Sequence, residues 1–282
     1  MLKKLIKYDM KSMVRVFAPL WLLAPILALL FSFSIRGLVE ASYGQNGFWT
    51  DLVESRGGQI LMMVTGLLFV SVVIAMFVVT LILVIQRFWN GLLKEEGYLM
   101  FTLPVRTWQL ITAKGITATI VNLISGLVAV ISALLLFAGA SRFALRNAFW
   151  AMGEMWDRIL QELGGFTTPI ILLLILLILV DTASGVYILY ASMALGQLFE
   201  GHRVAGSFVS YVGINVVASV AASAGGILLN LAVPQSLLDV LESSSGFFLT
   251  VFLLALLLFA AVQIAVCHLV TEYVLTRRLN LE

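Results

Sequence analysis

Long apolar runs separated by short polar segments fill the sequence from residue 16 onward. Six runs reach the length of about 20 mainly apolar residues that a membrane-spanning helix needs. Strand-like alternation is absent, and lipid offers backbone amides no hydrogen-bond partners, so the runs must be helices. The pattern predicts an all-α polytopic membrane protein, with one transmembrane domain over residues 1–282. The predicted spans are about 16–35, 59–86, 115–139, 168–198, 207–233 and 247–270.

The segment before the first run, MLKKLIKYDMKSMVRVF, has a different pattern. Apolar residues recur at i, i+3 and i+4 from Leu2 to Phe17, and most of the lysines fall on the other side. Such a stripe is typical of an amphipathic helix in the membrane interface, before the chain turns into the first span. Alternatively, the lysines only enforce topology.

A second amphipathic segment lies between the third and fourth spans. In SRFALRNAFWAMGEMWDRILQELGG, apolar residues recur at helical spacing from Phe149 to Leu163, and they include two tryptophans, which favour membrane interfaces. Gly164 and Gly165 provide a stop. We predict an interfacial helix on the outer side, or a helix that only covers the outer face of the bundle.

Composition confirms that lipid must solvate most of this chain. Hydrophobic residues make up 61% of it, charged residues 11%, and the mean hydropathy is +1.07. A soluble domain carries about a quarter charged residues. Nothing in the sequence points to nucleic-acid binding.

Loop charge predicts the orientation. Six spans place both termini on one side, and that side holds twelve of the seventeen basic residues. Cytoplasmic loops are enriched in Lys and Arg. We therefore expect a multi-pass protein of the plasma membrane with cytoplasmic N- and C-termini.

Asp181 is an acidic residue deep inside a predicted span. A charge at the bilayer centre costs about 2.5–3.5 kcal/mol on insertion scales, so it usually faces the bundle interior or water. Asp181 could line a translocation path or act as a proton relay. It could equally form hydrogen bonds with Asn122, Asn215 or Gln263 on neighbouring helices.

Catalytic motifs are missing from the sequence. It contains no G-x-x-x-x-G-K-[ST] phosphate loop and no H-E-x-x-H, and its two histidines are far apart. The single cysteine, Cys267, excludes an intrachain disulfide and a Cys-rich metal site. We predict a non-enzymatic chain with no metal and no cofactor of its own.

The cytosolic segment between the second and third spans, KEEGYLMFTLPVRTWQL, carries three adjacent charges, a glycine, a proline and several aromatics. Residues 87–96 can continue the second helix, Gly97 breaks it, and Thr107 is a fair N-cap for the third. An aromatic, charge-flanked element of this kind suits the docking of a cytosolic partner. It could also fold back on its own bundle.

Here the chain resembles the permease subunits of type-2 ABC exporters, in the branch of lantibiotic-immunity and drug-efflux permeases. The resembling residues are EEGYLMFTLPVRTWQL after RFWNGLL, the opening MLKKLIKYDMKSM and the ending YVLTRRLNLE. In that family, the element between the second and third spans is a coupling helix that inserts into the ATPase subunit. By resemblance, that role falls on Lys94, Glu95, Glu96, Gly97, Tyr98, Phe101, Pro104 and Arg106.

The resemblance implies a transport subunit that works with other chains. ATP and Mg would bind to separate ABC ATPase subunits, and a second permease copy or a related permease would complete the bundle. The short connection PQSLLDVLESSSG before the last span departs from polysaccharide exporters, so their substrates do not carry over. A non-transport structural or regulatory membrane protein is the main alternative. A proton-coupled transporter using Asp181 is another, but it should show two related halves with broken helices.

Overall fold

Every regular element in the described part of the chain is helical. The computed structural model describes residues 2–42, 48, 51, 55–93, 106–140, 142–199, 201–232 and 245–277. The helices are α1 Leu2–Ser42, α2 Arg56–Phe88, α3 Thr107–Ala140, α4 Arg142–Leu163, α5 Thr167–Gly196, α6 Arg203–Ala232 and α7 Ser245–Arg277. A π-helical turn, Trp89–Leu93, extends α2, and a 3-10 turn, Gly164–Phe166, precedes α5.

The structure confirms the prediction of an all-α protein with six long apolar helical stretches. Each predicted span falls within one long helix, with two exceptions at span ends. The last two residues of the fourth span follow the end of α5, and the last residue of the fifth span lies outside the described residues. Six helical stretches are long and apolar enough to cross a membrane, which indicates a multi-pass membrane protein.

The N-terminal segment is not a separate helix. Where the sequence predicts an interfacial helix, a turn and a span, the structure has one continuous helix of 41 residues, α1. Pro19 and Pro25 lie within it. No glycine or turn residue interrupts the chain between the lysine-rich segment and the first apolar run, so nothing local stops the helix. Its location in the membrane interface stays a prediction.

The amphipathic segment between the third and fourth spans is helical, as predicted. α4 ends at Leu163, and the next residue, Gly164, has a φ of +51°, a backbone conformation that favours glycine. Side chains from Phe149 to Glu162 are exposed. The position of α4 relative to a membrane stays a prediction.

The chain forms two compact units. Unit 1 contains residues 1–9, 84–120 and 159–282, and unit 2 contains residues 10–83 and 121–158. In unit 2, the α1 side chains Met13 and Phe17 are buried against Val121 of α3. The Trp21 indole Nε1 donates a hydrogen bond to Ser125 Oγ at 3.0 Å. α1 and α3 are thus joined by apolar and polar contacts.

In unit 1, α5 packs against both α6 and α7. α7 starts beside the start of α5, where the rings of Phe166 and Phe247 are 6.2 Å apart. α6 starts beside the end of α5, where Gly196 lies directly against Ser207. α5 and α7 are therefore parallel and α6 is antiparallel to both. The first residue of α6 and the last residue of α7 lie at the same end of unit 1.

Candidate functional site

The predicted coupling residues from Lys94 to Pro104 lie outside the described residues. Among the predicted set, Arg106 is described, and its side chain is exposed. Its carbonyl oxygen accepts a hydrogen bond from the Gln109 backbone N–H at 2.9 Å, in the first turn of α3. The structure thus describes the chain on both sides of the predicted coupling segment, at the end of α2 and at the start of α3.

α2 ends in the π-helical turn Trp89–Leu93, whose last three residues, Gly91, Leu92 and Leu93, are buried. The sequence predicts a helix that continues to Glu96; the described part has α-helix to Phe88 and the wider turn after it. Single π-helical turns are rare and occur frequently at functional sites. The residues just before the predicted coupling segment therefore lie in the protein interior.

Three charged residues next to this turn contact one another, and we call them the basal network: Asp9, Arg87 and Lys114. The Arg87 guanidinium Nη1 lies 2.6 Å from Asp9 Oδ1. The Lys114 ammonium Nζ donates a hydrogen bond to the backbone oxygen of Arg87 at 3.2 Å. The network ties the first turns of α1 and the start of α3 to the end of α2.

Lys114 is a buried cation with a close neighbour. Its side chain is 9% exposed, and a Cβ atom added to Gly91 would lie only 2.7 Å from its Nζ. Gly91 therefore leaves the space through which Lys114 reaches the Arg87 carbonyl. A buried charge is tolerated only with polar partners, and this geometry provides one.

An aromatic stack connects the same turn to α5. The rings of Phe88 and Tyr190 are stacked with centroids 4.2 Å apart, and both side chains are almost completely buried. Tyr187 contacts Tyr190 edge-on at 6.2 Å and the His268 ring of α7 at 5.6 Å. Phe88 is thus the first member of a chain of ring contacts from α2 through α5 to α7.

These contacts bring together parts of five helices around the point where the predicted coupling segment begins. Among the described residues, the contacts include no nucleophile paired with a base, and they link α1, α2, α3, α5 and α7. Sequence reasoning missed Asp9, Phe88, Lys114 and Tyr190. Asp9 is the one acidic residue among the N-terminal lysines, and that exception was the only local signal.

Asp181 is not one of the residues of the basal network. It is halfway along α5, fourteen residues after Thr167 and fifteen before Gly196, and its side chain is exposed. It is six residues from Tyr187, which corresponds to about 9 Å along the helix axis. The Asn215 amide donates to the Tyr211 backbone oxygen of its own helix.

Known proteins offer no assignment of this arrangement. No known protein family and no curated protein matches the sequence, and no solved structure matches the fold.

Proposed function

We propose that this chain is the membrane-spanning permease subunit of an ATP-driven ABC exporter in the plasma membrane. Its N- and C-termini face the cytosol, and residues 87–114 couple it to a separate ATPase subunit that binds ATP and Mg. A second permease copy, or a related permease, completes the transporter. The residues that support this proposal are those of EEGYLMFTLPVRTWQL, together with the positions of the basic residues.

One structural observation carries the coupling part of the proposal: both ends of the 94–105 segment are anchored in one set of contacts. The Lys114–Arg87 hydrogen bond joins α3 to α2, and the Phe88–Tyr190 stack joins α2 to α5. A displacement of the segment would therefore act on several helices together rather than on one loop.

The energy for such a displacement would come from the partner chain. A two-state equilibrium moves from 1:99 to 99:1 when one state gains about 5.5 kcal/mol of interaction over the other. An ATPase that closes on ATP would supply this difference through its contact with the segment. The permease itself would hydrolyse no ATP.

The docking role is tested by charge reversal on the full-length chain. The variant Glu95→Lys with Glu96→Lys should lose ATPase activity from the affinity-purified complex while it inserts into the membrane at the normal level. The matched control reverses two exposed acidic residues of α4, Glu154→Lys with Asp157→Lys. Hydrolysis of Mg-ATP in the eluate is the measurement.

Three outcomes would contradict the proposal. Equal ATPase activity in the two double variants would place the docking surface elsewhere. ATP hydrolysis by the chain purified free of partners would overturn the division between permease and ATPase. Absence of ATPase activity from the wild-type complex would favour the structural or regulatory alternative.

A further inference from the structure

A long groove runs along one side of unit 1. Its walls are α6 and α7, its floor includes Ala191 and Leu195 of α5, and its volume is about 520 Å³. On α6 the lining runs from Ser210 to Ala221, and on α7 it runs from Phe259 to Val270. Because the helices are antiparallel, Ser210 and Val270 lie at the same end of the groove.

The length of the groove corresponds to one leaflet of a bilayer. Each wall covers eleven residue steps, which is about 16 Å at the helical rise per residue. The hydrocarbon core of a membrane is about 30 Å thick, so the groove covers half of it. A single acyl chain from one leaflet has this extent.

The lining favours a hydrocarbon occupant. Apart from Ser210 on α6 and Gln263 on α7, the side chains that line it are apolar, and Cys267 is nearly buried. An acyl chain contacts such walls without leaving polar groups of its own unpaired.

Each wall continues into an arginine at the same end of unit 1. Arg203 precedes Ser210 by seven residues, and Arg277 follows Val270 by seven. Seven residues are almost two helical turns, so each arginine lies on the stripe that lines the groove, about 10 Å beyond its end. Both side chains are exposed, and the Arg277 guanidinium lies 5.8 Å from the centre of the Tyr273 ring.

The apolar groove and the two arginines together indicate the chemical class of the ligand. Two guanidinium groups at the end of a leaflet-long apolar groove match a phosphate attached to an acyl chain, since guanidinium recognises phosphate by paired hydrogen bonds. Arg203 is also the first residue of α6, where helix N–H groups favour an anion. Tyr273 lies where an aromatic ring suits the headgroup level.

We propose that the groove binds one acyl chain of an anionic phospholipid, with the phosphate held between Arg203 and Arg277. The lipid belongs to the leaflet at that end of unit 1, which the loop charges predict to be the cytosolic one. The site would be occupied with or without an ATPase partner, so it goes beyond the proposed function.

Native mass spectrometry of the full chain in detergent tests the proposal. Phosphatidylglycerol and phosphatidylcholine with identical acyl chains are added separately, and bound lipid is counted. We expect one phosphatidylglycerol to be retained per chain. Since each basic residue near an anionic lipid contributes roughly fivefold in affinity, Arg203→Gln with Arg277→Gln should weaken retention roughly 25-fold. The matched control, Arg56→Gln with Arg158→Gln, removes two exposed arginines elsewhere and should change nothing.

A second variant tests the groove itself. Gly213 lines it, and a Cβ atom added there meets nothing within 4 Å, so Gly213→Leu fills the groove without a clash at its own Cβ. We expect loss of the bound lipid. The control Gly185→Leu makes the same change at an equally open, exposed position of α5 that does not line the groove. Both variants should elute as monodisperse protein.

Each opposite result would overturn part of the site. Equal retention of phosphatidylcholine would remove the requirement for an anionic headgroup, and unchanged retention by Arg203→Gln with Arg277→Gln would remove the role of the two arginines. Retention by Gly213→Leu equal to that of Gly185→Leu would remove the groove as the binding site. Equal losses in the two double-arginine variants would show non-specific charge attraction.

Discussion

Replacing Asp9 with asparagine is expected to loosen the first turns of α1 from the end of α2. The Asp9 carboxylate lies 2.6 Å from the Arg87 guanidinium, and this ion pair connects α1 to α2. Asparagine keeps the size of the side chain and removes its charge. The substitution therefore removes the ion pair between Asp9 and Arg87 while it changes the packing little.

The exposure of the two side chains sets the size of the effect. They are 25% and 16% exposed, for Arg87 and Asp9 respectively, so the pair is neither fully solvated nor fully buried. Exposed pairs contribute about 0.2–1 kcal/mol. Removing one partner of a fully buried pair costs about 3–5 kcal/mol. We expect a coupling free energy between these limits, about 1–2 kcal/mol.

A double-mutant cycle isolates this coupling. The variants are Asp9→Asn, Arg87→Gln and the two combined, because Arg87 has further contacts and its single substitution measures more than the pair. Cys267 is the only cysteine of the chain and is 4% exposed, so a thiol-reactive fluorescent dye reports unfolding without further engineering. The free energy of unfolding is measured for all four proteins under identical detergent conditions.

Additive losses in the cycle would refute the reasoning, because they would show that the two side chains do not interact. The exchanged pair, Asp9→Arg with Arg87→Asp, provides an independent check. It should recover part of the stability that either single reversal removes. Failure of the exchange to improve on both single reversals would also count against the contact.

Two further predictions concern packing in unit 1. Gly196→Ala should destabilise the protein by about 1–3 kcal/mol in a thermal unfolding assay, since the added Cβ would lie 2.6 Å from the Ser207 backbone nitrogen. The control Gly185→Ala has open space around the added Cβ and should not change the stability. Phe88→Ala should cost about 3–5 kcal/mol, since it removes a fully buried ring stacked on Tyr190; a loss below 1 kcal/mol would show that the stack does not form.

The sequence by itself determined the class of the protein and the six helical stretches that are long and apolar enough to cross a membrane. The length of an apolar run is a local property, and lipid forces such a run to satisfy its backbone hydrogen bonds internally. Local signals also determined where α4 ends, since Gly164 adopts a positive φ at the predicted stop. The predicted turn between the lysine-rich segment and the first span is absent, because the prediction rested on a change of environment and α1 continues through Pro19 as one helix.

Only the tertiary structure decided which helix faces meet. Asp9 and Arg87 are 78 residues apart, and Lys114 reaches a backbone carbonyl that no sequence pattern identifies. The groove between α6 and α7 likewise appears only once both helices pack against α5. The physical reason is that lipid tails are as apolar as the side chains, so hydrophobicity does not select the helix partner. Close fit and a few polar contacts make that selection, and both depend on the arrangement of residues far apart in the chain.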